Sequence, residues 1–204
     1  MDEPVRLLIF DLGGVLVTRA PERMIQEFAA ASRRPVEEVA QLITDPAMQA
    51  FELGRMTSAD FFEYVRGRLG LPWDFQQFTA AWNGMLNEDR TATALLAPLR
   101  RRYRLGVLSN TNPLHAAHIR SAWPAFGHIQ HWTMSYEVGL MKPDARIYRH
   151  AIERAGVRAN EAVYIDDVAE FAEAGRQAGL TAIHLAPGRS LERELRAIGI
   201  ETAG

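Results

Sequence analysis

The chain has no cysteine and a single lysine, and it lacks both long apolar runs and a large net charge. Without cysteine, disulfides, thiolate metal sites and a cysteine nucleophile are excluded, and the composition fits a cytoplasmic protein. No apolar run approaches the roughly 20 residues that span a bilayer, and the start, Met1-Asp2-Glu3-Pro4, lacks a secretory pattern. A net charge of −2 gives no footprint for nucleic acid. We therefore expect a cytoplasmic protein without membrane or nucleic-acid partners.

Short apolar runs alternate with longer amphipathic stretches along the chain, which is typical of an α/β protein. Five runs predict parallel strands, the last of them most weakly: Val5 to Phe10, Leu105 to Leu108, Ala162 to Ile165, Thr181 to Leu185 and Ile129 to Met134. Capping residues and glycines predict four helices between and after them: Asn112 to Ala122, Lys142 to Gly156, Val168 to Ala178 and Ser190 to Ile198. The expected fold is a Rossmann-like parallel sheet flanked by helices.

The region 19–87 differs from the rest because it contains helix-like segments and no convincing strand. Its predicted helices are Pro21 to Ala31, Val36 to Ile43, Ser58 to Leu69 and Asp74 to Leu86. The region is far longer than one strand-to-strand crossover requires. We therefore predict a core made of residues 1–18 and 88–204, with a small α-helical cap at 19–87 inserted after the first strand. Most aromatic residues of the cap are expected to pack inside it.

Polar residues directly follow three of the predicted strands. Asp11 follows the first, Ser109 and Asn110 follow the second, and Asp166 and Asp167 follow the third. In an open parallel sheet, ligands bind outside the carboxyl ends of the strands, so these side chains are expected to converge. Taken one at a time, each is also an ordinary helix cap or turn residue. The order of the segments along the chain favours a shared site.

The chemistry of this group follows from its residue types. Converging carboxylates repel one another unless a cation lies between them, and hard oxygen ligands without histidine or cysteine favour Mg²⁺. A carboxylate beside a bound phosphoryl group can attack phosphorus, while Lys142 and the Ser109 hydroxyl offset the phosphoryl charge. Lys142 is the only lysine among 23 basic residues, and a compact ammonium suits such a site better than a guanidinium fork. The expected partner is a small phosphorylated metabolite.

Four segments resemble the motifs of a known superfamily, in the same order: Phe10 to Leu16, Leu108 to Asn112, Gly139 to Asp144 and Tyr164 to Asp167. They resemble the haloacid dehalogenase-like hydrolases, which are mostly Mg²⁺-dependent phosphatases, in the subfamily whose helical cap follows the first motif. Within it, the segments around His115 and Lys142 are similar to bacterial α-D-glucose-1-phosphate phosphatases. A sugar phosphate is the substrate that this closer resemblance implies.

The resemblance implies a role for each matched residue. Asp11 is the nucleophile and Lys142 the essential lysine, while Ser109 and the neighbouring amide of Asn110 bind phosphoryl oxygens together with Lys142. Asp11, the backbone carbonyl of Gly13 and Asp166 hold Mg²⁺, and Asp167 serves as a further ligand or supports the metal's other ligands. Residues expected to contribute to substrate choice are Arg55, in the Phe51 to Arg55 turn of the cap, and His115, which could also relay protons.

The sequence departs from the family pattern at Gly13. Phosphatases of this superfamily normally have an aspartate there that acts as general acid and base, a contribution typically worth about 10²- to 10⁴-fold. Gly13 therefore predicts a preference for substrates with good leaving groups, such as sugar 1-phosphates or acyl phosphates, over simple alkyl phosphates. Two rival functions stay open: a metal-independent 2-haloacid dehalogenase, which needs no such acid, and a catalytically silent phosphate-binding module. The Asp166-Asp167 pair favours the metal-dependent phosphatase. No pattern in the sequence indicates an oligomeric state.

Overall fold

The computed structural model describes residues 4–202. Its strands are β1 (Leu7–Phe10), β2 (Val17–Arg19), β3 (Leu86–Glu88), β4 (Arg104–Ser109), β5 (His131–Met134), β6 (Ala162–Asp166) and β7 (Thr181–His184). Five of them form one sheet in the order β5-β4-β1-β6-β7, and every neighbouring pair in it is parallel. β1 is the central strand, with Leu7 in register with Arg104 on one side and Ala162 on the other. The predicted parallel sheet is confirmed.

Helices cover both faces of this sheet. In chain order the helices are α1 (Pro21–Ser32), α2 (Val36–Ala40), α3 (Pro46–Glu52), α4 (Ser58–Leu69), α5 (Phe75–Asn83), α6 (Arg90–Thr93), α7 (Leu96–Arg100), α8 (Pro113–Ala122), α9 (Ser135–Val138), α10 (Ala145–Ala155), α11 (Ala169–Gln177) and α12 (Leu191–Ala197). None of the helices in the described part of the chain combines the length and the apolar character that a membrane crossing requires.

The alternation of side chains along β1 divides the core into two layers. Leu8 and Phe10 belong to one buried cluster, which also takes in residues of α7, α8 and α12. Leu7 and Ile9 belong to the other, which is built largely from α10. All four residues of β1 are buried, as expected for a strand with helices on both sides.

The five predicted strands and four predicted core helices are present, with ends that differ by at most three residues. The helix starts agree because the predicted caps form: Asn112 accepts a hydrogen bond from the His115 N–H (3.0 Å) and Asp144 from that of Arg146 (2.9 Å). Gly156 ends α10 with a φ of 63°, a conformation that glycine adopts without strain.

The expectation that 19–87 holds no strand is wrong at its two ends. β2 and β3 pair antiparallel, with Val17 in register with Glu88 and Arg19 with Leu86, so the chain enters and leaves the inserted region through a two-stranded ribbon. The predicted helix from Asp74 to Leu86 stops at Asn83 instead. Strands of three residues are too short to show the period-two pattern by which strands are recognised in a sequence.

The region 19–87 has an apolar cluster of its own. Phe28, Phe51, Phe61, Phe78 and Trp82 pack together in it, and rings of Phe51 and Phe61 stack with centroids 4.3 Å apart. Most of the aromatic residues there are buried, whereas Tyr64 and Phe75 are exposed. Leu114 of α8 also joins the cluster, so the region packs on the start of that helix. The division into a core at 1–18 and 88–204 and a cap at 19–87 stays a prediction.

Candidate active site

Three adjacent strands carry polar residues to one edge of the sheet. Asp11 follows β1, Ser109 ends β4 and Asp166 ends β6, and β1 lies between the other two strands. The Asp11 N–H continues the main-chain ladder by donating to the carbonyl of Ile165 over 2.9 Å. All three polar side chains belong to buried residues. Residues more than 150 positions apart in the chain are brought together in this way.

Lys142 connects two of these carboxylates. Its Nζ lies 2.6 Å from Asp166 Oδ2 and 3.0 Å from Asp11 Oδ1, and its side chain is only 1% exposed. Asn110 holds the lysine backbone, since its Oδ1 accepts from the Lys142 N–H (2.8 Å) and its Nδ2 donates to the Lys142 carbonyl (3.0 Å). The Asn110 side chain therefore positions Lys142. The backbone amide of Asn110 remains the group that we predict to bind a phosphoryl oxygen.

Asp11, Asp166 and Asp167 form an all-oxygen cluster. One carboxylate oxygen from each lies within 4.8 Å of the others. Among the described residues, the buried atom Asp167 Oδ1 accepts no hydrogen bond, whereas Asp11 Oδ1 lies 3.0 Å from the Lys142 ammonium. Asp166 is better satisfied, because its Oδ1 accepts from the Val168 N–H (2.8 Å) and its Oδ2 from Lys142 and Tyr164. A buried oxygen without a donor, beside two further carboxylates, belongs to a donor set that fits Mg²⁺.

The charges of this cluster affect how its members titrate. Burial raises the pKa of Asp166, an effect that Lys142 opposes and the Asp11 charge increases. Burial also raises the pKa of Asp167, and the neighbouring charges of Asp11 and Asp166 add to the rise. Both carboxylates are therefore poorly stabilised in their charged form, and a divalent cation bound between them would offset the repulsion.

Gly14 leaves room for the Asp167 side chain. A β-carbon on Gly14 would lie 2.1 Å from Asp167 Oδ2 and 2.7 Å from its Cβ, and the φ of Gly14 is +74°. A side chain at position 14 would thus clash with the carboxylate and also strain the backbone. Gly13, whose backbone carbonyl is the predicted metal ligand, lies in the same loop and forms a β-bridge with Val17.

We expect Gly14→Ala to be destabilised by about 1–3 kcal/mol more than Gly156→Ala. Gly156 is the matched control, since it has a similar φ (+63°) but nothing within 4 Å of its would-be β-carbon. The difference in the free energy of unfolding, measured by urea denaturation, isolates the collision with Asp167 from the cost of the backbone conformation. Equal losses in the two variants would show that Asp167 moves aside without cost.

A cavity of about 490 Å³ opens beside Asp11. On the side of the sheet its wall includes Asp11, Gly13, Ser109, Asn110, Thr111 and His115. On the side of the inserted region its wall is largely apolar and includes Pro21, Met24, Ile43, Met48, Trp82 and Met85. Arg19 and Glu52 are the charged residues that the inserted region contributes. The cavity has the size of a small-molecule site.

His115 lines the cavity, but its ring nitrogens are engaged. Nδ1 lies 3.1 Å from Asn112 Nδ2, and Nε2 lies 3.4 Å from the Trp82 carbonyl, which assigns the ring proton to Nε2. Burial lowers the pKa of His115 to about 4, so the ring is neutral at neutral pH. The ring also stacks on Trp82 at 5.5 Å. Because both ring nitrogens are engaged, neither is free for the predicted proton relay. If His115 contributes to substrate choice, it does so through the face of its ring.

Arg55 does not belong to the cavity wall. It is exposed, its N–H donates to the Ala50 carbonyl over 2.8 Å, and its predicted contact with substrate finds no support in this placement. The same turn contributes Glu52 instead. Sequence reasoning missed Glu52 and Arg19, although Glu52 stands in the same Phe51 to Arg55 turn that was expected to contribute to substrate choice through Arg55. The direction of a side chain near a helix end depends on where the helix stops, and the type of the residue does not show this.

Residues 5–179 match the family of haloacid dehalogenase-like hydrolases. The chain belongs to this family. It is 23% identical over 202 residues to the D-ribitol-5-phosphate phosphatase of Bacteroides thetaiotaomicron, covering 95% of this chain and 98% of that protein. A solved structure of a family enzyme from the same organism, in complex with magnesium and inorganic phosphate, has 28% identity and a TM-score of 0.84 and covers 94% of this chain and 100% of that one.

A dehalogenase of the family shares the fold. The 2-haloacid dehalogenase of Pseudomonas syringae pv. Tomato superposes with a TM-score of 0.62 at 20% identity, over 87% of this chain and 85% of that one. This likeness shows that our chain and the dehalogenase have the same fold. The choice between phosphorus and carbon as the atom attacked depends on the residues of the site.

Proposed function

We propose that the hydrolase is a Mg²⁺-dependent phosphomonoesterase acting on a small phosphorylated metabolite. The observation that carries this proposal is the contact of one buried lysine with two carboxylates, with a third carboxylate completing an oxygen cluster beside a small-molecule cavity. The relative named as a D-ribitol-5-phosphate phosphatase and the neighbour bound to magnesium and phosphate support the same reaction class.

Each residue has a part in the proposed reaction. Asp11 attacks phosphorus, the bond from phosphorus to the leaving oxygen breaks, and an aspartyl-phosphate forms that water later hydrolyses. Ser109 and Lys142 hold the phosphoryl oxygens. Mg²⁺ would be held by Asp11, the Gly13 carbonyl and Asp166, with Asp167 beside them, and when bound it supplies charge that stabilises the transferring group.

The cavity wall bears on the choice of substrate. Its apolar residues on the side of the inserted region offer few partners for hydroxyl groups, and Glu52 and Arg19 are the charged groups there. A polyol or sugar phosphate is the candidate that the ribitol-phosphate relative and the sequence resemblance suggest. A screen should therefore pair sugar and polyol phosphates with aryl and alkyl phosphates of similar size, and the ranking of kcat/KM identifies the class.

We expect removal of divalent metal to slow hydrolysis by about 10²- to 10⁴-fold, a loss that added Mg²⁺ reverses, because the metal stabilises the charge of the transition state by several kcal/mol. A readout independent of turnover is the melting temperature, which Mg²⁺ should raise by binding the native state. Asp167→Asn should reduce that rise, since it neutralises one of the clustered oxygens. The control, Asp89→Asn, changes a helix cap outside the cluster.

The two rival functions give different results in this experiment. Halide release from a 2-haloacid that a chelator leaves unchanged would establish the dehalogenase, which Gly13 favours. Binding of phosphate without turnover of any substrate in the panel would establish a silent module. Phosphate release that depends on Mg²⁺ contradicts both.

A further inference from the structure

The space beside Gly13 is filled by a cation. A β-carbon on Gly13 would lie 2.9 Å from Arg19 Nε and 3.0 Å from its Cζ. The guanidinium therefore occupies the position into which a side chain at residue 13 would extend. Arg19 ends β2, where its pairing with Leu86 of β3 fixes its backbone. The loop that carries the proposed nucleophile is thus closed on this side by a permanent positive charge.

The Arg19 guanidinium has no polar partner among the described residues. Among the described residues its guanidinium makes no hydrogen bond or ion pair, and the residue is exposed on the cavity wall. Its charge nevertheless acts on neighbours: it opposes the rise that burial causes in the pKa of Glu52 and of Asp167, and it adds to the fall that burial causes in the pKa of His115. An unpaired arginine on the cavity wall, whose charge acts on two other wall residues, Glu52 and His115, is placed to bind an oxygen that enters the cavity.

Glu52 faces the same cavity from the inserted region. It is the last residue of α3 and half-buried, and its carboxyl group makes no hydrogen bond or ion pair with the described residues. The other titratable side chains on the wall are Asp11, His115 and Arg19. Asp11 is the proposed nucleophile and His115 has no free nitrogen. Glu52 is therefore the one carboxyl group of the described wall that is available for proton transfer.

The charged surroundings of Glu52 set its titration. Burial raises the pKa of Glu52 to about 7, although Arg19 opposes the rise. The turn after Glu52 packs on α9, where Gly54 lies against the Tyr136 carbonyl. The charged residue next to Tyr136 is Glu137, and it forms an ion pair with Arg120 at 3.3 Å. A carboxyl group that is about half protonated at neutral pH can both donate and accept a proton.

We propose that Glu52 is the general acid and base of this hydrolase, acting from the inserted region in place of a side chain at Gly13, with Arg19 binding the leaving oxygen. The inference rests on the proposed phosphatase function. As Asp11 attacks phosphorus and the bond to the leaving oxygen breaks, that oxygen takes the Glu52 proton and leaves as an alcohol. The Glu52 carboxylate then takes a proton from water, whose oxygen attacks phosphorus and releases the Asp11 carboxylate and inorganic phosphate.

Glu52→Gln tests this assignment with two substrates, p-nitrophenyl phosphate and an alkyl phosphate. The first has a leaving group that needs no proton, whereas the second needs one. We expect the variant to lose about 10²- to 10⁴-fold in kcat/KM on the alkyl phosphate and less than about 10-fold in kcat/KM on the aryl ester, because kcat/KM reports the transfer of the phosphoryl group to Asp11 and not the later water attack that both substrates share. The preference for good leaving groups that Gly13 alone predicts should then appear in full. Glu63→Gln, at an exposed glutamate of α4, is the matched control.

The pH profile gives a second readout that a structural role would not change. In the wild type, kcat/KM on the alkyl phosphate should fall above about pH 7 as Glu52 loses its proton. Glu52→Gln should lack that limb while inhibition by inorganic phosphate stays unchanged.

The outcomes separate the inference from the proposed function. A wild type that hydrolyses no phosphate ester contradicts the phosphatase. A wild type that hydrolyses both esters, with a Glu52→Gln variant whose kcat/KM falls equally on both or on neither, leaves the phosphatase intact and overturns the role of Glu52. A wild type that accepts only the aryl ester overturns it as well, because no acid then operates.

Discussion

Asp11→Asn should reduce hydrolysis by at least about 10³-fold, because an amide of nearly the same shape cannot attack phosphorus. The substitution suits the site, since Asp11 is only 7% exposed and an asparagine fits its volume. Steady-state phosphate release measures the loss. Acid-quenched incubation with labelled substrate should trap a phosphoenzyme in the wild type and none in the variant.

The control for the nucleophile is Asp89→Asn. Asp89 accepts from the N–H groups of Thr91 and Ala92 at 3.0 Å as the cap of α6, and asparagine caps a helix about as well. This variant should retain wild-type turnover. If Asp11→Asn also retained it, the nucleophile would be a different group and the proposed mechanism would be wrong.

Lys142→Met should lower the free energy of unfolding by about 3–5 kcal/mol, measured without metal near neutral pH, because the substitution leaves the buried carboxylates without their cation. The same variant should lose most of its activity. Lys142→Arg keeps the charge and should be less destabilised, at about 1–3 kcal/mol from overpacking. It should still lose activity, since a guanidinium cannot reproduce both ammonium contacts at 2.6 Å and 3.0 Å.

The pH dependence tests the electrostatic origin of this loss. Lys142 opposes the rise in the pKa of Asp166, so removing the lysine raises that pKa further. A carboxyl group whose pKa is higher in the folded state than in the unfolded state binds a proton more readily when folded, and this favours the folded state as the pH falls. The gap between Lys142→Met and the wild type should therefore narrow on acidification through the pKa of Asp166. Urea denaturation at pH 7.5 and at pH 4.5 measures it, and a constant gap would assign the loss to packing.

The sheet and the convergence of its polar ends were predictable because they depend on local patterns. Buried strands give continuous apolar runs, and the carboxyl ends of parallel strands necessarily share an edge. Asp11, Ser109 and Asp166 therefore meet as predicted. The association of Lys142 with Asn110 was not predictable, because it depends on hydrogen bonds to the lysine backbone between residues 32 positions apart.

The residues that sequence reasoning missed are those whose place depends on distant pairing. Arg19 reaches Gly13 because β2 pairs with β3, and those strands are too short to be recognised from their pattern. Glu52 faces the cavity because α3 ends at that residue, whereas Arg55 three positions later is exposed. One residue of difference in a helix end changes the direction of a side chain by about 100°.

The central place of β1 in the sheet also has an entropic consequence. Fixing a residue's backbone in one conformation costs about 1–2 kcal/mol of conformational entropy. Because β1 is bonded to β4 on one side and β6 on the other, and Asp11 continues the ladder to Ile165, that ordering is completed when the chain folds. The backbone of the attacking group therefore loses little freedom when substrate arrives, and more of the binding energy remains for the transition state.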